Sequence, residues 1–265
     1  MIKLIACDLD GTIFDDNKNI DNDLKNVIDK LKENGILFTI VSGRNEELMK
    51  DVVDYFDLDV AYACNNGANI FKKHEPLFND YIDKKSADNA AKLLFDNDIV
   101  FRAYALEDTF CNLISDFFLA RMKGFNKPFK DYYRELDLSR YNVLKITSDF
   151  CYHPELIEPI SKQINDYPHT AFVKAEDNVY CVNSITANKG DGLKRICEYL
   201  NIDMKNEVMA FGDNENDLPM LKNVKVSVAM ANSPQDVKKQ VDYICLDNNH
   251  NGVSNFLLDY FKDIF

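Results

Sequence analysis

Two aspartates, Asp8 and Asp10, separated only by Leu9, stand at the end of an apolar run in the opening segment MIKLIACDLDGTIF. Residues 4–7 are apolar on both alternating faces, a pattern that is typical of a parallel strand covered on both sides. A carboxylate at the end of such a strand is costly unless another group compensates its charge. The pair therefore points to a site that holds a cation or performs acid-base chemistry.

Polar side chains also follow two later apolar runs that we interpret as buried strands. Ser42 and Gly43 follow ILFTIV. Asp213 is the last residue of EVMAFGD, and Asp217 follows it four residues later. Because ligands bind at the carboxyl ends of strands in an open α/β sheet, we expect these residues to meet at one edge. Several carboxylates there would need a compensating charge, which Mg²⁺ can supply. Alone, Asp213 or Asp217 would be better explained as a helix cap or a solvent contact, but their joint placement at strand ends reverses this preference.

The segments that carry these residues alternate between strand and helix patterns. The amino-terminal part reads as strand, helix, strand, helix, strand, and ENDLPMLKN and SPQDVKKQV add helices around the strand VKVSVAM. KGDGLKRICEYLN and GVSNFLLDYFKDIF read as two further helices of the carboxy-terminal third. This alternation predicts the α/β class, with a Rossmann-like core built on a right-handed parallel sheet.

The middle of the chain has a different pattern. We predict helices in DKKSADNAAKLLFDND and HPELIEPISKQIND, strands in IVFRAYAL and NVLKITSD, and a hairpin across Asp177 and Asn178. An irregular, aromatic-rich stretch runs through NKPFKDYYRE. The strands alternate polar and apolar residues, which indicates a sheet with one exposed face. We therefore expect an inserted α+β cap domain of residues 83–183 and a core domain of residues 1–82 and 184–265.

The amino-acid composition limits the kinds of partner that the protein could bind. The net charge of -13 argues against a nucleic-acid groove or an anionic membrane surface, and no segment has the about 18 apolar residues of a membrane span. Seven scattered cysteines without a C-x-x-C pair argue against a disulfide framework or a zinc site. We expect a monomer in the cytoplasm that binds neither nucleic acid nor a membrane, with its four histidines on the surface.

Four segments, in this order, resemble the motifs of the haloacid dehalogenase superfamily: DLDGTIF, IVSGR, KGDGLKRI and GDNENDLPML. The chain is most similar to the Cof-type phosphatases, whose large class IIB cap lies between the second and third motifs. The resemblance covers the whole core, while the inserted region carries no recognisable motif. It implies a Mg²⁺-dependent phosphatase that hydrolyses a small phosphorylated metabolite, such as a sugar phosphate, through an aspartyl-phosphate intermediate.

The resemblance also implies roles for individual residues. Asp8 would be the nucleophile, Asp10 the general acid and base, and Lys189 the cation that neutralises Asp8 and the phosphoryl group. The implied phosphate-binding residues are Thr12, Ser42, Gly43, Lys189 and Asn216. The implied metal ligands are Asp8, the backbone carbonyl of Asp10, and Asp213, with Asp217 behind them. Considered alone, Lys189 could be a surface lysine, and Ser42 could be a helix N-cap.

The strand patterns of the cap place Val100, Arg102 and Tyr104 on one face, and they place Lys145 and Thr147 together. Because the family's open cap face covers the active site, Arg102, Tyr104 and Lys145 are candidates for substrate contacts. The other reading of these residues is a solvated sheet face. Two alternatives for the whole chain are a phosphomutase with the same phosphoaspartate chemistry and a non-enzymatic, metal-dependent phosphoacceptor switch.

Overall fold

The computed structural model describes residues 1–112 and 130–265. These residues form two compact units. The core unit comprises Met1–Phe78 and Asn188–Phe265, and the inserted unit comprises Asn79–Ala187. The boundaries expected from the sequence, after residues 82 and 183, differ from those after residues 78 and 187 by four residues each.

The core unit is built on a five-stranded sheet in which every pair of neighbouring strands is parallel. The Leu4–Cys7 strand lies inside this sheet, and its four residues are buried because helices cover both faces. The predicted parallel α/β core is therefore confirmed. In spatial order the strands are Tyr243–Ile244, Val226–Ala229, Val208–Gly212, Leu4–Cys7 and Leu37–Ile40.

Amphipathic helices cover this sheet. The first helix begins at Leu24, buries Leu24, Val27, Ile28 and Leu31 on one face, and is followed by Gly35, whose φ of 79° ends it. The helices of the core unit are Leu24–Glu33, Lys50–Tyr55, Lys189–Leu200, Met204–Glu207, Leu218–Leu221, Gln235–Lys238 and Gly252–Tyr260. Short 3₁₀ turns occur at Glu46–Leu48, Asn65–Gly67, Glu215–Asp217 and Asn248–His250.

The third predicted strand, Tyr62–Cys64, differs from the expectation. It contacts the parallel sheet only through an isolated bridge between Val41 and Ala63. Its regular pairing is antiparallel, with Asn69–Lys72, in a separate sheet of three strands that ends with Glu75–Asn79. The cause is the turn that follows the strand, because three consecutive residues with positive φ reverse the chain there.

The inserted unit contains a six-stranded sheet. Two helices, Lys84–Asp96 and Ile157–Asn165, pack with one face of this sheet into a common hydrophobic core, as the sequence predicted. The hairpin across Asp177 and Asn178 is also confirmed. Short 3₁₀ turns occur at Leu138–Arg140 and Pro154–Leu156. In spatial order the strands are Thr170–Glu176, Val179–Ser184, Val143–Asp149, Val100–Ala105, Thr109–Cys111 and Lys130–Asp131.

The stretch expected to be irregular contributes two of these strands, Thr109–Cys111 and Lys130–Asp131, which pair with each other in parallel. Residues 113–129 of that stretch, including the start of NKPFKDYYRE, lie outside the described residues. None of the helices in the described ranges has the length and apolar composition needed to cross a membrane.

Candidate active site

The buried centre of the core unit's site is an ion pair between Asp8 and Lys189. Asp8 follows the Leu4–Cys7 strand directly, and its amide donates to Phe211 O on the neighbouring strand at 3.1 Å. Lys189 is the first residue of the Lys189–Leu200 helix, and its Nζ lies 2.7 Å from Asp8 Oδ1. The side chains of Lys189 and Asp8 are 1% and 7% exposed, so Lys189 is not the surface lysine that its residue type alone would indicate.

Asp217 is a second partner of the same lysine. Lys189 Nζ donates to Asp217 Oδ1 at 2.6 Å, and Asp217 Oδ2 accepts from the amides of Asp213 and Asn214, each at 3.0 Å. Both carboxylate oxygens of Asp217 are therefore engaged, which fixes the loop after the Val208–Gly212 strand. Asp217 therefore lies between Lys189 and the backbone of Asp213.

Asp8, Asp213 and Asp217 offer oxygen atoms that all lie within 4.8 Å of one another. One ammonium group cannot neutralise three carboxylates, so burial and mutual repulsion raise the pKa values of Asp8 and Asp213. Burial alone would lower the pKa of Lys189, but Asp217 and Asp8 outweigh it, and the ammonium stays charged. A hard divalent cation fits this donor set, because it would supply the missing positive charge.

The turn after Asp8 brings Thr12 beside this cluster. Gly11 has a φ of 77°, in the left-handed region, and a side chain at this position would collide with the Asp213 carboxylate. Only glycine therefore fits this turn without displacing Asp213. Thr12 is buried, and its Oγ1 donates to Asp213 Oδ1 across 3.4 Å.

Asp10 lies in different surroundings. Arg44 Nε donates to Asp10 Oδ2 at 2.7 Å and Arg44 Nη2 to Asp10 Oδ1 at 2.6 Å, while Lys18 Nζ lies 2.8 Å from Oδ1. The guanidinium of Arg44 also stacks on the ring of Phe14, 4.7 Å from its centroid. Burial alone would raise the pKa of Asp10, but Arg44 and Lys18 outweigh this effect and lower it.

The strand Leu37–Ile40 leads into the Ser42 loop. Ser42 is buried, and its Oγ accepts from the Arg44 amide at 3.2 Å, so the side chain does act as a local turn cap. Asn216 Nδ2 donates to Asn66 Oδ1 across 3.4 Å, and the same Asn66 oxygen lies against Gly43. Asn66 thus contacts two candidate phosphate-binding segments, the one that contains Gly43 and the one that contains Asn216.

The three cap candidates lie in the inserted unit. Tyr104 pairs with Lys145, and Arg102 pairs with Thr147, in antiparallel register, so the side chains of the two strands share one face of the sheet. The ring centroid of Tyr104 lies 5.4 Å from Lys145 Nζ and 6.0 Å from the guanidinium carbon of Arg102. Burial raises the pKa of Tyr104, which keeps its hydroxyl protonated.

Sequence reasoning did not identify Arg44, Lys18 or Asn66 as parts of the site. The available signal for Arg44 was its place at the end of a strand beside acidic motifs, within the quoted segment IVSGR. The signal for Asn66 was the run Asn65, Asn66, Gly67, because asparagine and glycine tolerate left-handed backbone. No pattern signalled Lys18, since it is one lysine of a polar loop.

Comparison with known proteins agrees with this geometry. A family model described as haloacid dehalogenase-like hydrolase matches residues 5–257. The chain is 26% identical to a phosphoglycolate phosphatase of Saccharolobus solfataricus, an alignment that covers 100% of this chain and 98% of the relative. It is 24% identical to a phosphatase of Bacillus subtilis, with 97% of this chain and 99% of the relative covered.

Solved structures share the fold over the whole chain. A haloacid dehalogenase-like hydrolase from Bacteroides thetaiotaomicron superposes with a TM-score of 0.83 at 21% identity and covers 98% of this chain and 100% of its own. A sugar phosphatase described as subclass IIB superposes with a TM-score of 0.82 at 20% identity, covering 99% and 100% of the two chains. The inserted unit is therefore part of an architecture that the chain shares with solved proteins.

Proposed function

The chain belongs to the haloacid dehalogenase-like hydrolase family and is a phosphoric monoester hydrolase, and on this premise we propose that it is a Mg²⁺-dependent phosphatase that works through an aspartyl-phosphate on Asp8. The observation that carries the proposal is the buried ion pair between Asp8 and Lys189 at 2.7 Å. It sits at the carboxyl end of a parallel strand, where such folds bind ligands. The substrate is a small phosphorylated metabolite.

In the first step an oxygen of Asp8 attacks phosphorus while the bond from phosphorus to the leaving oxygen breaks. Asp10 gives its proton to that oxygen, so the substrate leaves as an alcohol. In the second step Asp10 takes a proton from a water molecule, which attacks phosphorus. The bond between phosphorus and Asp8 then breaks, and inorganic phosphate and the free carboxylate are regenerated.

Lys189, Ser42, Gly43 and Asn216 hold the phosphoryl group in this proposal. The Lys189 ammonium offsets the charge of Asp8 and of the phosphoryl oxygens, while Ser42 Oγ, the Gly43 amide and the Asn216 amide group donate hydrogen bonds. Thr12 supports the group from the Gly11 turn.

Asp8, Asp213 and the backbone carbonyl of Asp10 would hold Mg²⁺, and Asp217 would orient Asp213 and Lys189 from behind. The cation, when bound, supplies positive charge that favours ionised Asp8 and neutralises phosphoryl oxygens. The charge imbalance of the cluster, three carboxylates to one ammonium, supports this assignment.

The acid and base role of Asp10 requires its side chain to leave the ion pairs seen in the structure. Arg44 and Lys18 favour the ionised carboxylate, which cannot donate a proton. We therefore propose that Asp10 exchanges these partners for the leaving oxygen when substrate binds.

The direct test is release of inorganic phosphate from a panel of phosphorylated sugars, small acids and nucleotides, with Mg²⁺ and with EDTA. Asp8→Asn should reduce turnover by at least about 10⁴-fold, since no nucleophile remains. Thermal unfolding of the variant controls for loss of fold. Full activity of Asp8→Asn, or equal activity in EDTA, would overturn the proposal.

An isomerised phosphate ester in place of inorganic phosphate would identify the phosphomutase alternative. The non-enzymatic switch has no support, because the chain is a hydrolase.

We propose that Arg102, Tyr104 and Lys145 contact the substrate's leaving group. Their support is the shared sheet face and the two cations beside the Tyr104 ring. Relatives named as phosphoglycolate and sugar phosphatases put sugar phosphates and phosphorylated small acids first in the panel.

Arg102→Gln and Lys145→Gln should lower kcat/KM for the preferred substrate by about tenfold, while turnover of a generic aryl phosphate stays the same. The matched control is Lys162→Gln on the exposed side of the Ile157–Asn165 helix. Equal losses on both substrates would contradict a specificity role.

The expected monomeric state and cytoplasmic location stay predictions. Light scattering on the purified protein tests the monomeric state.

A further inference from the structure

The loop Asn65–Gly67 has an unusual backbone. Its three residues have φ values of 50°, 57° and 89°, all in the left-handed region. Asn65 is buried, and its Oδ1 finds no hydrogen-bond partner within the described part of the chain. Asparagine tolerates left-handed backbone, but an unsatisfied buried carbonyl oxygen costs stability. Strain of this kind persists where the surrounding structure holds it, and it is concentrated at functional sites.

Backbone hydrogen bonds tie this loop to the Ser42 segment. The Asn66 amide donates to Ser42 O at 2.9 Å, and the Asn65 amide donates to Arg44 O at 2.7 Å. The Asn66 side chain lies so close to Gly43 that a Cβ added there would come 3.0 Å from Asn66 Oδ1. The conformation of Asn66 therefore fixes the backbone of the Ser42–Gly43 turn.

The same loop also touches the other two phosphate-binding segments. Asn66 Oδ1 accepts from Asn216 Nδ2 across 3.4 Å, a long hydrogen bond that orients the Asn216 amide. Gly67 packs directly on Asn188 O and on Gly192, at the start of the helix that carries Lys189. One loop thus contacts the segments of Ser42, Asn216 and Lys189.

We propose that Asn66 is a positioning residue of the phosphoryl pocket. Its left-handed backbone places the Ser42–Gly43 turn, and its side-chain oxygen orients Asn216 so that both donors converge on one phosphoryl group. The inference rests on the proposed function, because it assumes that Ser42 and Asn216 bind phosphate. Asn66 acts through these residues and does not touch the substrate.

Asn66→Gly separates the two contributions. Glycine adopts the same φ without steric cost, so the loop keeps its shape, while the contact with Asn216 is removed. The matched control is Asn201→Gly, the same change at an exposed asparagine with a φ of 54°. Asn201 caps the opposite end of the Lys189–Leu200 helix, about 18 Å along its axis from Lys189.

Orthovanadate and inorganic phosphate are the probes, since both present phosphate-like oxygens and need no knowledge of the substrate. Asn66→Gly should weaken inhibition by orthovanadate about tenfold and raise KM, with a much smaller change in kcat and an unchanged melting temperature. Asn201→Gly should leave all four quantities as in the wild type.

A double-mutant cycle with Asn216→Ala decides whether Asn66 acts through Asn216. In the Asn216→Ala background, Asn66→Gly should change orthovanadate inhibition less than twofold. A tenfold effect that persists there, or no effect of Asn66→Gly in the wild type, would overturn the inference. A wild-type protein that releases no phosphate and binds neither probe would instead overturn the proposed function, so the two failures are distinguishable.

Discussion

Asp8 and Asp10 carry the same side chain two residues apart, yet their surroundings act on them in opposite directions. The Asp8 cluster, which comprises Asp8, Lys189, Asp213 and Asp217, has three carboxylates and one cation. The Asp10 cluster, which comprises Asp10, Arg44 and Lys18, has one carboxylate and two cations. The pKa of Asp8 is raised and that of Asp10 is lowered.

The unequal solvent exposure of the two side chains increases the contrast between the Asp8 and Asp10 clusters. The Asp8 side chain is 7% exposed and the Asp10 side chain 41%, so water screens the Asp10 cluster but hardly reaches the Asp8 cluster. Spacing along the sequence therefore does not decide the chemistry of the two carboxylates. The elements that each one faces decide it: the Lys189–Leu200 helix for Asp8, and the Ser42–Arg44 turn for Asp10.

The two lysines provide the largest expected contrast. Lys189→Met leaves buried carboxylates without their cation, and we expect it to cost about 3–5 kcal/mol of stability and to abolish turnover. Lys18→Met removes one partner from an exposed pair and should cost less than about 1 kcal/mol. Urea unfolding of both variants at pH 7.5 measures the difference. Similar costs for the two lysines would show that burial does not separate the clusters.

A second contrast is the pH dependence of stability in EDTA. Burial raises the pKa of Asp8 from 3.8 to about 8, so the metal-free folded state loses stability as the pH rises from about 4 to about 8. Asn cannot ionise, and Asp8→Asn should therefore gain stability relative to the wild type across this window, by about 1 kcal/mol or more at pH 8.

Asp10→Asn should behave in the opposite way. A lowered pKa means that ionised Asp10 stabilises the fold above its unfolded pKa, and that this contribution is lost only as the pH falls through the folded value. Asp10→Asn should thus be less stable than the wild type at pH 8, by less than about 1 kcal/mol because the pair is partly exposed. Thermal melts from pH 4 to pH 8 test both variants, and a gain for Asp10→Asn at pH 8 would contradict the comparison.

The Asp8 cluster was largely predictable from the sequence, while the Asp10 cluster was not. Asp8, Asp213 and Asp217 occur at strand ends, and parallel topology brings such positions to one edge whatever the intervening chain does. Lys189 was implied only by the family resemblance of its segment. Arg44 and Lys18 reach Asp10 with long, flexible side chains, and their direction depends on loop geometry that no periodic pattern encodes.

The fold shows the same division. The Leu24–Glu33 helix has strong periodicity and the longer parallel strands are continuous apolar runs, so both were predicted, whereas Tyr243–Ile244 and Thr109–Cys111 are too short to show either signal. The Tyr62–Cys64 strand was predicted, but its antiparallel partner was not. That pairing depends on the left-handed turn at Asn65–Gly67, which is set by contacts with distant segments.

Arg44→Gln tests the link between the Asp10 cluster and turnover. Without the bidentate pair the pKa of Asp10 should rise, because burial then acts with less opposition. In the proposed mechanism protonated Asp10 serves the leaving oxygen, so the alkaline limb of kcat/KM should move to higher pH, by less than about one unit since the pair is partly exposed.

The matched control is Arg140→Gln, an exposed arginine that pairs with Asp137 in the inserted unit, and its pH profile should match the wild type. A profile for Arg44→Gln that keeps the wild-type alkaline limb would mean that Asp10 has already left Arg44 in the form of the enzyme that meets substrate. In that case the ion pairs describe only the resting protein, and the contrast between Asp8 and Asp10 would hold for stability but not for turnover.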